Sequence, residues 1–597
     1  MLKKKNNIQK KTIANFAVDL IFQMGSSTVF TLTGGMAMFI NNAVAIHPRL
    51  KAVYCHHEQA CVAAAEGYAK ASNFTRAGFA VVTAGPGVSN TITSLISANI
   101  DSAPLIVLAG QIKSEDIDIY GTRTHGIQEI NSKAIITPVV KKFTRIKKKN
   151  FKKELINTIC EAFIGRPGPV FIEIPLDVQS VELEYKLDEI INLTKFIKSK
   201  VKRLNRNSLI NKIKINKAIK ELLNAKRPLL YIGNGCKIAG VEKDLIRFAR
   251  NHKIPCVFSW ISSDILSFKD DLNFGCPGGL APIYANKILS KADAILFLGA
   301  RLDLATTAFQ RRDFGGQAKR IYVDVDKNEL KKFEKFENSR AILFNLQEIK
   351  SSIGIYLKTR SKAKLDWVEY IRKEKKVYLI KEKIKMDDTK NLNVYQVAKI
   401  LSKVSSNKIF VPCSSGYAIE TFVRFFKPDT NAQLFLGAGL GSMGLGLPHA
   451  IGAACLTNTK KVICIEADGG MMLNVQELST LKYLNPKNFV LIILNNKGYT
   501  SISASQKNFF RNIAGCNLDS GIYIPSYRKI AKVFNFKYVS ILNRKMLYRL
   551  NKMIISCKKP LIVDINIIPE EYRGPRVKTI LSKNGKIKST SLNEIIW

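Results

Sequence analysis

VICIEADGGMMLNVQELSTLKYLNPKNFVLIILNNKGYTSIS, residues 462–503, decides how the chain is read. An apolar run from Val462 to Ile465 has the look of a buried strand. Asp468-Gly469-Gly470 follows as a turn. Leu473, Val475, Leu478, Leu481 and Leu484 then fall on roughly one helical face until Pro486 breaks it. A second apolar run, Phe489 to Leu494, ends in Asn495-Asn496-Lys497-Gly498. The order is strand, loop, helix, strand. In a parallel sheet both strand ends open on one edge, where ligands bind.

The chemistry at those two ends is specific. Asp468 offers a carboxylate, Asn496 a side-chain carbonyl, and the backbone near Gly498 a third oxygen. A magnesium ion takes a few such oxygens together with phosphate and water. Gly469 and Gly470 let backbone approach a phosphate, and the N–H groups of the following helix face it. The stretch is a candidate holder for a magnesium diphosphate. A plain turn beside an Asn-rich strand end is the alternative.

Working outward, residues 391–568 form one α/β segment around this stretch. It also contains Cys413-Ser414-Ser415-Gly416 after a strand, and the glycine-dense Leu436-to-Pro448 run with Gly441, Ser442 and Met443. Such glycine density lets backbone lie against a flat ligand or another backbone. Upstream, residues 1–185 alternate strand, Gly-rich loop and helix, the pattern of a doubly wound parallel sheet. Gly34 lies in its first such loop. Glu58 sits where a strand gives way to an Ala-rich helix. A poorly solvated carboxyl there has a raised pKa and can hand a proton to a ring nitrogen. The same position equally suits a first-turn Glu that complements the helix dipole. Residues 212–355 form another α/β segment. Its Gly233-Asn234-Gly235 lacks a correctly placed third glycine for a dinucleotide fingerprint. Residues 186–211 and 356–390 read as linkers, and 569–597 as a basic, loop-like tail.

Composition narrows the class. A chain of 597 residues with 46 % hydrophobic content suits several globular domains. No apolar run reaches membrane-helix length, and no apolar stretch follows the basic N-terminus as a signal peptide requires. The formal charge of +46 is extreme. Its lysines are spread over loops and helix faces rather than gathered into an arm, so compositional bias is expected, with no nucleic-acid and no membrane partner. Eleven cysteines without a CxxC pair fit buried thiols in a reducing cytoplasm.

Five stretches together resemble the thiamine diphosphate (ThDP) enzymes, most closely the acetolactate synthase large-subunit group. They are His57-Glu58-Gln59 with Ala65-to-Ala69, Ala84-to-Gly87 with Asn90, Arg166-to-Pro175, Gly439-to-Pro448, and Asp468-Gly469 through Asn495-Asn496. The resemblance implies three doubly wound α/β domains: pyrimidine-binding, central and diphosphate-binding. It implies a homodimer or homotetramer with the site at the subunit interface. By the same resemblance Glu58 is the catalytic partner of the pyrimidine N1′, and Gln128 is a second active-site residue. Asp468, Asn496 and Gly498 are the Mg²⁺ ligands. Gly34, Gly441, Ser442 and Met443 belong to the cofactor site, and Ser414, Ser415, Gly416, Gly469, Gly470 and Tyr499 lie near the diphosphate. The implied activity is that of a transferase or lyase. It is decarboxylation of a 2-oxo acid such as pyruvate, with carboligation of the resulting enamine to a second carbonyl. FAD is an optional cofactor, because Gly299-to-Leu304 partly resembles the family's flavin segment. That same segment looks closer to relatives of surface-sugar pathways, so a carboligase with a sugar acceptor is the alternative. A basic, non-catalytic binding protein on this fold is the alternative of another class.

Overall fold

The computed structural model describes residues 11–280, 282–358, 364–387, 391–413, 415–510, 512–568, 577, 579–581 and 587–592. Three parallel sheets flanked by helices carry the chain, as expected.

The first sheet uses β1 (Thr28–Thr31), β2 (Lys51–Tyr54), β3 (Gly78–Val82), β4 (Leu105–Gln111), β5 (Lys142–Arg145) and β6 (Pro169–Pro175). Their order across the sheet is β2-β1-β3-β4-β6-β5. The central sheet is built of β7 (Pro228–Ile232), β8 (Cys256–Phe258), β9 (Ala294–Leu298), β10 (Lys319–Asp324) and β11 (Ser339–Leu343), in the order β8-β7-β9-β10-β11. The third uses β12 (Lys408–Pro412), β13 (Gln433–Leu434), β14 (Lys461–Ala467), β15 (Phe489–Asn495), β16 (Lys537–Ile541) and β17 (Leu561–Asn566). Its order, β13-β12-β14-β15-β17-β16, repeats that of the first. Covered on both faces, these strands need no polar side: Val462, Ile463, Cys464 and Ile465 are all fully buried.

Doubly wound sheets bind ligands where the strand order reverses. In the first sheet that point lies between β1 and β3, whose ends lead to Gly34 and Thr83. In the third it lies between β12 and β14, whose ends lead to Ser415-Gly416 and Asp468. The central sheet reverses between β7 and β9. There a Cβ on Gly233 would stand 2.1 Å from the Gly299 carbonyl, and Gly235 N–H donates to that carbonyl at 3.0 Å. These central glycines are explained by loop backbone packed on loop backbone.

The chain forms two compact units that do not follow the three sequence blocks. One comprises Met1–Asn205, Gly437–Asn458 and Asn474–Pro486; the other comprises Arg206–Leu436, Thr459–Leu473 and Lys487–Trp597. Two helices of the third block therefore belong with the first sheet. Helix α1 (Glu58–Ala71) packs on α2 (Gly446–Leu456), and α3 (Glu477–Leu484) packs beside both β2 and α2. The α1–α2 crossing is closer than side chains allow. A Cβ on Gly67 would lie 2.1 Å from the His449 carbonyl, and one on Gly452 would lie 1.9 Å from the Ala64 carbonyl.

Three local expectations change. Residues 186–211, read as a linker without periodicity, contain regular structure. Leu187–Leu204 is a helix with Ile190, Thr194 and Ile197 buried, and its Leu193 and Val201 pack on the core of the first unit. Asp468–Met471 is a helical turn rather than a loop, followed by a 3₁₀ turn at Met472–Asn474. That break rotates Leu473 off the apolar face and leaves it 44 % exposed, whereas Leu478 and Leu481 are buried. The tail expected as loop contains a two-stranded antiparallel pair, Thr579–Leu581 with Ile587–Ser589; most of the rest of it lies outside the described residues. Within 356–390, read as a linker, Leu365–Asp387 is a helix. No described helix is long and apolar enough to cross a membrane.

The helix crossing gives a stability test. Gly67→Ala or Gly452→Ala should each destabilise the protein by at least about 2 kcal/mol, because the new methyl meets a carbonyl rather than a movable side chain. Gly35, which has open space around its Cβ direction, should tolerate alanine within about 1 kcal/mol. Urea unfolding of the three variants decides it; equal midpoints would refute the contact.

Candidate active site

The predicted residues fall into two sets, one in each compact unit.

In the first unit, Glu58 opens α1 and is 7 % exposed. Its Oε2 accepts a hydrogen bond from Asn90 Nδ2 at 3.0 Å. The turn before it is fixed from α3: His56 N–H donates to Glu477 Oε1 at 3.0 Å, and Thr480 Oγ1 donates to Glu477 Oε2 at 2.7 Å. Burial pushes the Glu477 carboxyl above its ordinary pKa, against these hydrogen bonds. Gly34 abuts Thr83: a Cβ there would stand 2.5 Å from the threonine side chain. Thr83 Oγ1 is buried with no hydrogen-bond partner among the described residues. Gln128 is exposed and left-handed, with φ 67°. Its backbone carbonyl lies 2.7 Å from where a Cβ on Gly85 would be, so the structure brings Gln128 to the loop after β3.

The loop 437–445 belongs to the same unit. Gly441, Ser442 and Met443 are half-buried in it. Gly439 N–H donates to Asp101 Oδ1 at 3.1 Å, and Asn474 Nδ2 donates to the Gly444 carbonyl at 2.9 Å. Behind the loop runs a buried set of charges. Lys70 Nζ lies 2.8 Å from Asp101 Oδ2 and 2.6 Å from Glu66 Oε1, and His449 Nε2 lies 3.1 Å from Glu66 Oε2. Burial alone would raise the Glu66 pKa, but Lys70 and His449 outweigh it and hold the carboxyl down at about 2.

In the second unit, Asp468 follows β14 and is fully buried. Oδ1 accepts from Gly469 N–H at 2.8 Å and Oδ2 from Gly498 N–H at 3.0 Å. Burial lifts its pKa to about 6, with the backbone N–H groups pulling the other way. Tyr527, which sequence reasoning passed over, donates its hydroxyl to the Asp468 carbonyl. Asn496 stands at the end of β15. As placed, its Oδ1 is 2.9 Å from the Gly498 carbonyl and 3.3 Å from Asp468 Oδ1. Turned over, the amide would donate to both oxygens and accept from Thr500 Oγ1 at 2.8 Å. Either way the Asp468 carboxylate, the Gly498 carbonyl and the Asn496 amide meet at one point. Gly469 carries a different constraint from the one expected. The Tyr499 ring fills the place of a Cβ there, at 2.0 Å, so this glycine accommodates an aromatic neighbour. Gly470 is buried in the turn after Asp468. Gly416 caps the helix Tyr417–Phe425, and Ser415 Oγ beside it is buried without a hydrogen-bond partner among the described residues. Ser414 lies outside the described residues.

The donor set fits a hard divalent cation. Oxygens on adjacent corners of an octahedron at the magnesium distance are about 3 Å apart, which is the spacing seen around Asn496 Oδ1. Among the described residues no three His, Cys, Asp or Glu side chains gather as a metal site. One carboxylate, one amide and one backbone carbonyl instead suit an ion that keeps phosphate and water as further ligands.

Sequence reasoning missed Asn474, Glu477, Asp101, Lys70 and His449 as supports. A polar residue inside an otherwise apolar helix was the available signal for Glu66, Lys70 and His449. Asp101 and Asn474 carry no such signal.

Three models of known families match in order. They are the N-terminal TPP binding domain, the central domain and the C-terminal TPP binding domain of thiamine pyrophosphate enzymes, over residues 11–135, 215–343 and 415–565. A probable acetolactate synthase large subunit of Methanococcus aeolicus is 29 % identical over 88 % of this chain and 86 % of its own. The acetolactate synthase large subunit of Haemophilus influenzae is 27 % identical over 99 % of this chain and 98 % of its own. Chloroplastic acetolactate synthase 2 of Nicotiana tabacum is 27 % identical, covering 94 % and 82 %.

The low pKa of Glu66 has a stability consequence. An unfolded glutamate titrates near 4.3, so on acidification the unfolded chain takes up this proton first. Stability present above about pH 5 should therefore be lost between there and about pH 2. Urea midpoints measured across that range should fall less steeply in Glu66→Gln than in the wild type; equal slopes would contradict the assignment.

Proposed function

Because this chain belongs to the thiamine pyrophosphate enzymes, of the acetolactate synthase large-subunit-like kind, we propose that it decarboxylates a 2-oxo acid, pyruvate first, and joins the two-carbon fragment to a second carbonyl. The observation that carries the reading is the meeting of Asp468 Oδ1, the Gly498 carbonyl and the side-chain amide of Asn496 at the reversal point of the third sheet. A magnesium ion held by those oxygens would anchor a diphosphate there, with Ser415 Oγ and the first N–H groups of Tyr417–Phe425 as further donors. Flavin is not part of the proposal.

Bound thiamine diphosphate supplies an electron sink for the loss of carbon dioxide. The protein supplies position and proton control. Glu58 is buried at the start of α1, where its carboxyl could share a proton with a ring nitrogen of the cofactor. Asn90 fixes its second oxygen and so its orientation. Glu477 holds the turn that sets where α1 begins. Gly441 and Met443 would give backbone contacts and an apolar surface for the pyrimidine, and Gln128 would stand at the substrate end. We infer a homodimer or larger homo-oligomer that completes the site. Ile119, Tyr120 and Ile127, which are 83, 77 and 90 % exposed in the loop before Gln128, support a covering partner copy.

The purified protein with ThDP, Mg²⁺ and pyruvate should release carbon dioxide and form acetolactate, followed by mass spectrometry. Turnover only with a sugar or other aldehyde acceptor would replace pyruvate as the second substrate. Absence of ThDP binding would overturn the proposal. Glu58→Gln should lower kcat by about 10²-fold or more, and full turnover would exclude it as the proton partner. Asp468→Asn should raise the Mg²⁺ concentration needed for half-maximal ThDP binding; an unchanged requirement would remove it from the metal site.

A further inference from the structure

The loop 437–445 carries Gly441 and Met443, and its glycines have no side chains with which to fix it. Side chains outside it hold both of its ends. At one end Asp101 Oδ1 accepts the Gly439 N–H; at the other Asn474 donates to the Gly444 carbonyl. Asn474 Nδ2 also stands 3.4 Å from the Oε1 of Gln59, the neighbour of Glu58.

Asp101 ends the helix Ile92–Ile100, and its side chain is 2 % exposed. A carboxylate so buried needs its charge matched. Lys70, itself 3 % exposed, does this through Oδ2 at 2.8 Å, and leaves Oδ1 to the loop. Lys70 is shared with Glu66, whose Oε1 also accepts from Ser97 Oγ at 3.2 Å. Burial alone would lower the Lys70 pKa, but Asp101 and Glu66 outweigh that and raise it, so the cation is retained. A simple buried ion pair would use both carboxylate oxygens on cations. Here one is spent on a backbone N–H of the loop, a charge-assisted bond with a fixed direction.

We propose that Asp101, held by Lys70 on α1, is a positioning residue that fixes the loop 437–445 in the geometry that receives the cofactor's pyrimidine, with Asn474 as the second tether. The inference rests on the ThDP reading above. It assigns no chemical step to Asp101; the residue acts through Gly439.

The test is cofactor affinity, read by isothermal titration of ThDP at saturating Mg²⁺, beside the thermal midpoint of the apoprotein. Asp101→Asn keeps the shape but cannot serve Lys70 and Gly439 with one charge. Its Kd for ThDP should rise about tenfold, the effect of losing one such hydrogen bond. The near-UV circular dichroism of the bound cofactor should change, and the apoprotein midpoint should stay close to wild type, because Lys70 keeps Glu66. Asn474→Ala should raise Kd likewise, and it decides the matter if Asp101→Asn does not fold. Kd values within twofold of wild type in the folded variants would overturn the proposal. So would a loss of affinity that tracks a fall in the apoprotein midpoint, the mark of general loosening. Failure of the wild type itself to bind ThDP would instead refute the functional reading beneath it.

Discussion

Two helices that meet at backbone distance set the terms for the first unit. Gly67 and Gly452 leave no room for a single methyl between α1 and α2. At that separation the polar side chains flanking the crossing are sealed from water. Glu66, Lys70 and His449 must then satisfy one another, because unpaired charges there would be costly. The crossing also brings the loop 437–445, which precedes α2, under the control of residues on α1 and just beyond Ile92–Ile100. Helix α1 begins with Glu58, so the element that presents the proposed proton partner also steadies the loop proposed to receive the cofactor.

The repeated strand order of the first and third sheets gives the chain two equivalent reversal points. Each reversal point carries a glycine-bearing loop and a polar group: Gly34 with Thr83 in the first, Gly416 and Ser415 with Asp468 in the third. The central sheet has the same kind of reversal, but loop backbone closes on loop backbone at Gly233 and Gly299. Similar topology has thus been used twice for polar sites and once for packing.

Some residues proved to have reasons other than those their positions suggested. Gly469 sits in a diphosphate-type motif, yet the Tyr499 ring is what forbids a side chain there. The segment after residue 185 was hard to read because Leu187, Phe196 and Leu204, all about half exposed, blur a sound inward pattern of Ile190, Thr194, Ile197 and Val201. Leu473 fits the helical period on paper but falls in the 3₁₀ turn that interrupts it. In each case a neighbour distant in sequence, or a break in the helix, overrode the local pattern.

The sequence by itself determined the three α/β sheets, because continuous apolar runs ending in Gly-rich turns have few other solutions. It also marked Glu58, Asp468 and Asn496, since a motif records which chemical groups stand at strand ends. Only the tertiary structure decided which groups hold those residues in place. Asn90, Glu477, Asp101 and Asn474 act across separations of up to several hundred residues, and a single sequence carries no trace of such pairings. Nor did the blocks along the chain foretell that α2 and α3 pack with the first sheet. Compactness follows the closest burial of apolar and glycine surfaces, not the order in which the chain supplies them.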